Sequence, residues 1–308
     1  MKIVFPDHID FDETAKAKIK KLGITTYADT PSDEATIIER IKDAEIITFS
    51  WITITRAIID AAPKLKYIIS AAAGYNGVDH EYAANKGIKV LNCPTQNAEA
   101  VAEHALALMF AVSRRVVESS IDLQRGTWNR TNLLGSELGD KKLGLVGYGR
   151  VGKFIEQKVS GLGMDVRHVN SQSSEHELDS LLAESDIVCL CLTFNDKTKQ
   201  IINRRRLALL QPHAILINVA RGGVVDQVAL LETLKKSAIR GAGLDVFDNE
   251  PTSGSVPVDI LELAKLPNVV ATPHIAYNTE QTITRLGEEL FKNIESCLNG
   301  NPINVVNG

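Results

Sequence analysis

The chain has 308 residues, 44% of them hydrophobic and 23% charged, with a net charge of −4. That length predicts roughly two domains, and the mild acidity, without long like-charge blocks, excludes the basic footprint of a nucleic-acid binder. The longest apolar segment, "HALALMFAV" at residues 104–112, falls well short of a membrane span, and the opening "MKIVFPDHID" is interrupted too early for a signal peptide.

The first hundred residues carry short apolar runs, "KIVF", "IITFS", "YIISAAA" and "KVLNC". Their apolarity is continuous rather than alternating, which predicts parallel strands covered on both faces. In "NCPTQNAEAVAEHALALMFAVSRRV", Pro94 ends the last of these strands, Asn97 is placed to cap a helix and Glu99 favours its first turn. The alanine-rich helix then runs to Arg114 and Arg115. Its small side chains suit a domain connector, a subunit contact or an ordinary core helix equally well.

A second set of strands follows: "KLGLVGYG", "DVRHVN", "DIVCLCLT", "AILINVA", "GAGLDVF" and "NVVATPHI". Helical segments separate them, the pattern of a covered parallel sheet. A last helical stretch, "AYNTEQTITRLGEELFKNIESCLNG" at residues 276–300, returns the chain. The four cysteines, Cys93, Cys189, Cys191 and Cys297, show neither CxxC spacing nor a secreted disulfide framework. Cys189 and Cys191 share one face of their strand as small buried apolar groups. A reducing, cytoplasmic setting is expected, and no metal site.

"LGLVGYGRVGKFIEQKV" holds Gly147, Gly149 and Gly152 in G-x-G-x-x-G spacing. Chance would supply roughly 0.1 such matches in a chain this long, at about 7% glycine. The setting of strand before and helix after is what gives the match weight. Gly147 permits the tight turn, Gly149 lets the backbone approach a pyrophosphate, and Gly152 lets helix and strand close together. Amides at the helix start would then face phosphate oxygens. About twenty residues on, where an acid would hold a ribose hydroxyl, stands Asn170 in "VRHVNSQSS". A neutral amide can still bond ribose hydroxyls, and it removes a carboxylate's repulsion of a 2′-phosphate. No cation follows closely to attract that phosphate, so the balance tips to NAD(H), with NADP(H) left open.

Residues 98–276 therefore read as a dinucleotide-binding domain inserted into a first domain of residues 1–97 and 277–308, with the two crossing helices as hinge. Three strands of the inserted domain end at residues suited to chemistry. Arg221 precedes two glycines, Glu250 follows "GLDVFDN", and His274 follows Pro273. Ligands of open α/β sheets bind beyond the carboxyl ends of the strands. Arg221 could pair with a substrate carboxylate and polarise its carbonyl, and His274 could deliver a proton as hydride arrives. Glu250 could fix the histidine tautomer and favour its protonated form. Singly these residues read as a surface ion pair, a helix-start acid and a satisfied histidine. Three in succession behind a cofactor turn point to chemistry.

The motifs "NAEAVAEHALALM", "LGLVGYGRVG", "INVARGGVVD", "GLDVFDNEP" and "TPHIAYNT", in this order, resemble those of the D-isomer-specific 2-hydroxyacid dehydrogenase family across nearly the whole chain. The resemblance implies a Rossmann dinucleotide-binding domain inserted into a flavodoxin-like α/β substrate domain. It also implies hydride transfer between NAD(P)H and a small 2-keto acid, with glyoxylate and hydroxypyruvate favoured and a D-2-hydroxy acid as product. Arg221, Glu250 and His274 would be the catalytic set. Cofactor contacts would fall at Gly147, Gly149, Arg150, Val151, Gly152, Asn170, Thr193, Val219, Ala220, Asp245 and Ala276, with Asp245 reaching the nicotinamide amide. The backbone near Ala73, Gly74 and Tyr75 in "AAAGYNGVD" would hold the substrate carboxylate. Trp51 would line the specificity pocket, unless it is a core tryptophan. A homodimer is expected, with neither nucleic acid nor membrane as partner. The alternative is a dinucleotide-sensing dimer of corepressor type, although the short ends show no protein-docking extension.

Overall fold

The computed structural model describes residues 1–251 and 254–308 and divides the chain into two compact units, Met1–Asn97 with Asn278–Gly308, and Ala98–Tyr277. The first unit contains β1 (Ile3–Phe5), α1 (Glu13–Leu22), β2 (Thr25–Thr26), α2 (Glu34–Ile41), β3 (Ile46–Phe49), α3 (Arg56–Asp60), β4 (Tyr67–Ser70), α4 (His80–Asn85) and β5 (Lys89–Leu91). Its parallel sheet has the order β2-β1-β3-β4-β5, the flavodoxin-like arrangement. Val4, Ile46, Ile47, Ile68, Ile69 and Val90 are fully buried, which is why these strands read as unbroken apolar runs. One face packs on Ile37, Ile41 and Ile58 of α2 and α3, and the other gathers Phe5, Ala15, Leu290, Phe291 and Ile294.

The second unit contains α5 (Ala98–Arg114), α6 (Val116–Gln124), β6 (Lys142–Val146), α7 (Arg150–Val159), β7 (Asp165–Val169), α8 (Glu175–Glu184), β8 (Ile187–Leu190), α9 (Arg204–Leu207), β9 (Ile215–Asn218), α10 (Gln227–Lys235), β10 (Gly241–Leu244), α11 (Val258–Ala264) and β11 (Val269–Ala271). Its parallel sheet runs β11-β10-β9-β8-β6-β7. The chain leaves β6 for β7 on one side and crosses to β8 on the other, so the topological switch lies between β6 and β8. Val101, Ala102, Ala105, Leu108 and Met109 of α5 pack with Ile155 and Val159 of α7 over Leu143, Leu145, Cys189 and Ile217. Small alanines let α5 lie close, as its composition foreshadowed. The other face is covered from α8, α10 and α11 by Leu181, Leu182, Leu230 and Leu263. Each such leucine contributes about 1.5–3 kcal/mol of transfer free energy. An exposed pair such as Arg204–Glu232 gives about 0–1 kcal/mol, so the core sets the stability.

α12 (Glu280–Leu298) returns to the first unit and packs beside α1. It starts later than its apolar pattern implies, because Thr279 caps it by accepting the Thr282 amide. Two further details depart from the sequence expectation. Arg115 lies in the left-handed region at φ 53°, which ends α5 and begins α6. β2 was not anticipated, for its two exposed threonines carry no apolar signal. Among the described residues, no helix is long and apolar enough to cross a membrane.

Candidate active site

At the carboxyl end of β6, Gly147 adopts φ +101°, and a Cβ there would meet Leu192 and Cys191 backbone atoms at 2.7–2.8 Å. Only glycine fits that turn. A Cβ on Gly152 would lie 2.8 Å from the Gly147 carbonyl, whereas a Cβ on Gly149 would meet nothing within 4 Å. The first close approach locks α7 against the strand, and the open position leaves room above the turn. Gly149 caps α7 without any side-chain hydrogen bond, while α1, α2, α8, α10 and α12 are each capped by an Asp, Ser or Thr side chain. Open backbone and amides without a side-chain cap fit the pyrophosphate of a dinucleotide. Arg150 and Val151 open α7, and Thr193 follows β8 across the switch point.

Asn170 is exposed just past β7, and its side-chain oxygen already accepts the Gln172 amide at 2.8 Å. Ser173 closes the same turn through the Asn170 backbone. One lone pair of that oxygen is thereby engaged, which leaves its second lone pair and the donor Nδ2 for other partners.

The strand-end residues come together through backbone contact. Gly222, next to Arg221, lies so near the following turn that a Cβ would sit 1.8 Å from the Phe247 carbonyl carbon and 2.2 Å from the Asp248 nitrogen. That contact brings the Arg221 turn against the segment carrying Glu250. Arg221 is half-buried and donates to the Ala220 carbonyl at 2.7 Å. Burial pushes its guanidinium below the ordinary value, and the Glu250 carboxylate opposes that loss. Val219 and Ala220 are buried just before it.

Glu250 is oriented at both oxygens. One accepts the Phe247 amide at 2.7 Å, and the other lies 2.6 Å from His274 Nδ1. His274 itself adopts φ 53°, an uncommon conformation for a non-glycine residue. Its amide donates to the Asp245 carbonyl at 2.8 Å. The Asp245 carboxylate, 1% exposed, accepts the Thr272 hydroxyl at 2.6 Å and the Ile275 and Ala276 amides at 2.9 Å. Burial raises this carboxyl, yet His104, Thr272 and the two amides together hold it below the usual carboxylate value. Asp245 is thus engaged chiefly in shaping the His274 turn.

His104 and Thr272 were not singled out in the sequence. The signal was present: His104 is the one ring-bearing polar residue in "EHALALM", and Thr272 sits two residues before His274.

In the first unit, Trp51 follows β3 with 42% of its surface exposed, which rules out the core-tryptophan alternative. Its loop is held by Asp7, whose Oδ2 accepts the Ser50, Trp51 and Ile52 amides at 3.0, 2.6 and 3.3 Å. Burial pushes the Asp7 carboxyl up, and these amides pull it back. Ser70 donates to the Gly74 carbonyl and Asn92 to the Ala73 carbonyl, both at 2.7 Å. Fixing those carbonyls fixes the loop. The Tyr75 ring meets His80 edge-on at 5.2 Å.

The doubly wound sheet and its glycine turn define a dinucleotide-binding α/β protein. Comparison with known proteins then fixes the family. Residues 106–276 match the model of the D-isomer specific 2-hydroxyacid dehydrogenase, NAD binding domain. The glycerate dehydrogenase of Methylorubrum extorquens is 34% identical over 313 residues, covering 99% of this chain and 98% of the relative. The hydroxypyruvate reductase of Thermotoga maritima is 36% identical over 296 residues, covering 94% and 95%. A solved acyclic imino acid reductase, in complex with NADPH and D-Arg, superposes with a TM-score of 0.90 at 31% identity, covering 99% of this chain and 100% of that one. The chain belongs to the D-isomer-specific 2-hydroxyacid dehydrogenase family and is an NAD(P)-dependent oxidoreductase; nothing in these relatives supports the corepressor alternative.

Because the Gly222 contact admits no side chain, Gly222→Ala should separate the Arg221 and Glu250 segments. Displacement of about 1 Å at such a site costs about 10²-fold, so kcat/KM should fall at least that far in any folded fraction. Wild-type kcat/KM in soluble Gly222→Ala would contradict the account.

Proposed function

We propose that this enzyme reduces small 2-keto acids such as glyoxylate and hydroxypyruvate, with His274 as the proton donor. The observation that carries this reading is the 2.6 Å contact between His274 Nδ1 and Glu250, beside the Arg221 turn. The second unit would hold the dinucleotide, as its family match supports, and the first unit the substrate. The pyrophosphate would lie over Gly147, Gly149 and Gly152 and the amides of Arg150 and Val151. Asn170, Thr193, Val219, Ala220, Asp245 and Ala276 would line the remainder of its path. A reduced nicotinamide bound there supplies hydride.

The chain's own groups do the rest. Arg221 pairs with the substrate carboxylate and draws charge toward the carbonyl oxygen. The carbonyls of Ala73 and Gly74 are tied inward by Asn92 and Ser70, and the loop through Tyr75 takes the carboxylate on its backbone. Trp51 borders the substrate's variable group. Glu250 accepts the Nδ1–H of His274, so the exchangeable proton for the new hydroxyl is the one on Nε2. After proton transfer the same Glu250 contact keeps the ring in the tautomer that accepts a proton in the reverse reaction.

The relatives' names support the substrate class: glycerate is the reduced form of hydroxypyruvate, and both compounds name relatives of this chain. A cytoplasmic homodimer completes the reading. Its support is α6, none of whose residues is buried, continuing to exposed Trp128 and Leu134. Such a strip suits a second copy of the chain. Light scattering should give twice the chain mass, and a monomer would contradict it.

Steady-state kcat/KM for glyoxylate, hydroxypyruvate and pyruvate with NADH and NADPH tests the activity. His274→Ala should lower kcat by about 10²–10⁴; near-wild-type turnover would overturn its role. In Asn170→Asp, Oδ1 can still accept the Gln172 amide while Oδ2 puts a charged acceptor in place of the donor Nδ2. The NADH-to-NADPH ratio should rise about tenfold, the worth of one charged hydrogen bond. An unchanged ratio would mean that residue 170 does not meet the ribose.

A further inference from the structure

The turn carrying His274 is supported from below by a second histidine. His104 projects from α5, with Nε2 2.9 Å from Thr272 Oγ1 and 3.3 Å from Asp245 Oδ1. It is 19% exposed at its side chain, facing an Asp245 side chain that is 1% exposed. The direction of the hydrogen bonds follows from chemistry. An ionised carboxylate only accepts, so the Thr272 hydroxyl gives its hydrogen to Asp245 across 2.6 Å. The Thr272 oxygen must then accept from His104, which requires a hydrogen on His104 Nε2. The chain therefore reads His104 Nε2–H to Thr272 Oγ1–H to Asp245, and Asp245 receives the Ile275 and Ala276 amides that follow His274.

We propose that His104 is a positioning residue for the reaction: through Thr272 and Asp245 it holds the left-handed turn that presents His274 to Glu250. The proposal rests on the reading of His274 as proton donor. A non-glycine residue at φ 53° carries about 1–3 kcal/mol of strain, which persists only where surrounding contacts over-determine it. The Asp245 hub supplies those contacts, and among the described residues His104 is the one donor to it that comes from outside the β10 and β11 ends. It also ties the turn to the longest helix of this unit, which packs on β9, β10 and β11. Loss of the donor leaves Thr272 free to rotate away from Asp245, and the turn can relax toward an unstrained conformation in which Nδ1 leaves Glu250.

Two variants separate donation from bulk. His104→Gln keeps an N–H at about the reach of Nε2, whereas His104→Leu keeps volume and removes the donor. The enzyme is assayed with glyoxylate and with whichever of NADH and NADPH it prefers, alongside His274→Ala, with cofactor binding followed by quenching of protein fluorescence. His104→Leu should lose about ten- to a hundredfold in kcat, with keto-acid KM and cofactor Kd within twofold. His104→Gln should stay within threefold of wild type. Equal losses in both variants would show that the imidazole acts by packing and would overturn the proposal. A weakened cofactor Kd with intact kcat at saturation would overturn it too, placing His104 in cofactor binding. Wild-type kcat in His104→Leu beside an inactive His274→Ala would defeat the proposal while leaving the proton donor assigned. An active His274→Ala would remove that assignment and this proposal together.

Discussion

The site of the second unit is built around one buried carboxylate. Asp245 directly follows β10, and its side chain accepts from both backbone amides that follow His274 and from the Thr272 hydroxyl. Without those acceptors, the chain leaving β11 would bury the Ala276 amide unpaired, at a cost of about 1–3 kcal/mol. The Asp245 carbonyl also takes the His274 amide, so one residue determines both ends of the turn. The candidate proton donor is therefore placed by the strand next to its own.

The remaining geometry follows from how closely neighbouring strand ends approach. Gly222 touches the Phe247–Asp248 peptide, and this removes the space that would otherwise separate Arg221 from Glu250. Glu250 then has one oxygen on the Phe247 amide and the other on His274. Three consecutive strand ends thus share one set of contacts within a single unit. The apolar layers beneath, from Ile217 to Leu244, are buried. Such a base deforms little, so strain at His274 is held rather than released. Elsewhere the ion pairs are mostly exposed, as with Lys16 and Glu13, and contribute little by comparison.

Much of this was legible in the sequence because it depends on residue type and spacing. The unbroken apolarity of "IITF" and "ILIN" followed from burial on both faces, and Gly147 and Gly152 announced a turn and a close packing. The strand-end positions of Arg221, Glu250 and His274 were visible for the same reason. Other features left no local mark. β2 is held by β1 alone, and its Thr25-Thr26 has no periodicity to detect. Nothing in "GLDVF" says that the Asp245 oxygens also meet amides some thirty residues on. His104 meets Thr272 across 168 residues. Asn170 was legible as a departure, yet its use of the side-chain oxygen for Gln172 depends on the backbone of the turn. Trp51 had two readings that only its exposure could separate.

The central claim is that Glu250 acts through His274 rather than beside it. A double-mutant cycle of Glu250→Ala and His274→Ala, read as kcat/KM for keto-acid reduction, tests this most directly. If Glu250 serves only to orient and charge-balance His274, the double variant should be about as slow as His274→Ala alone, with the Glu250 effect abolished in that background. Effects that multiply in full, as for two independent groups, would contradict the account.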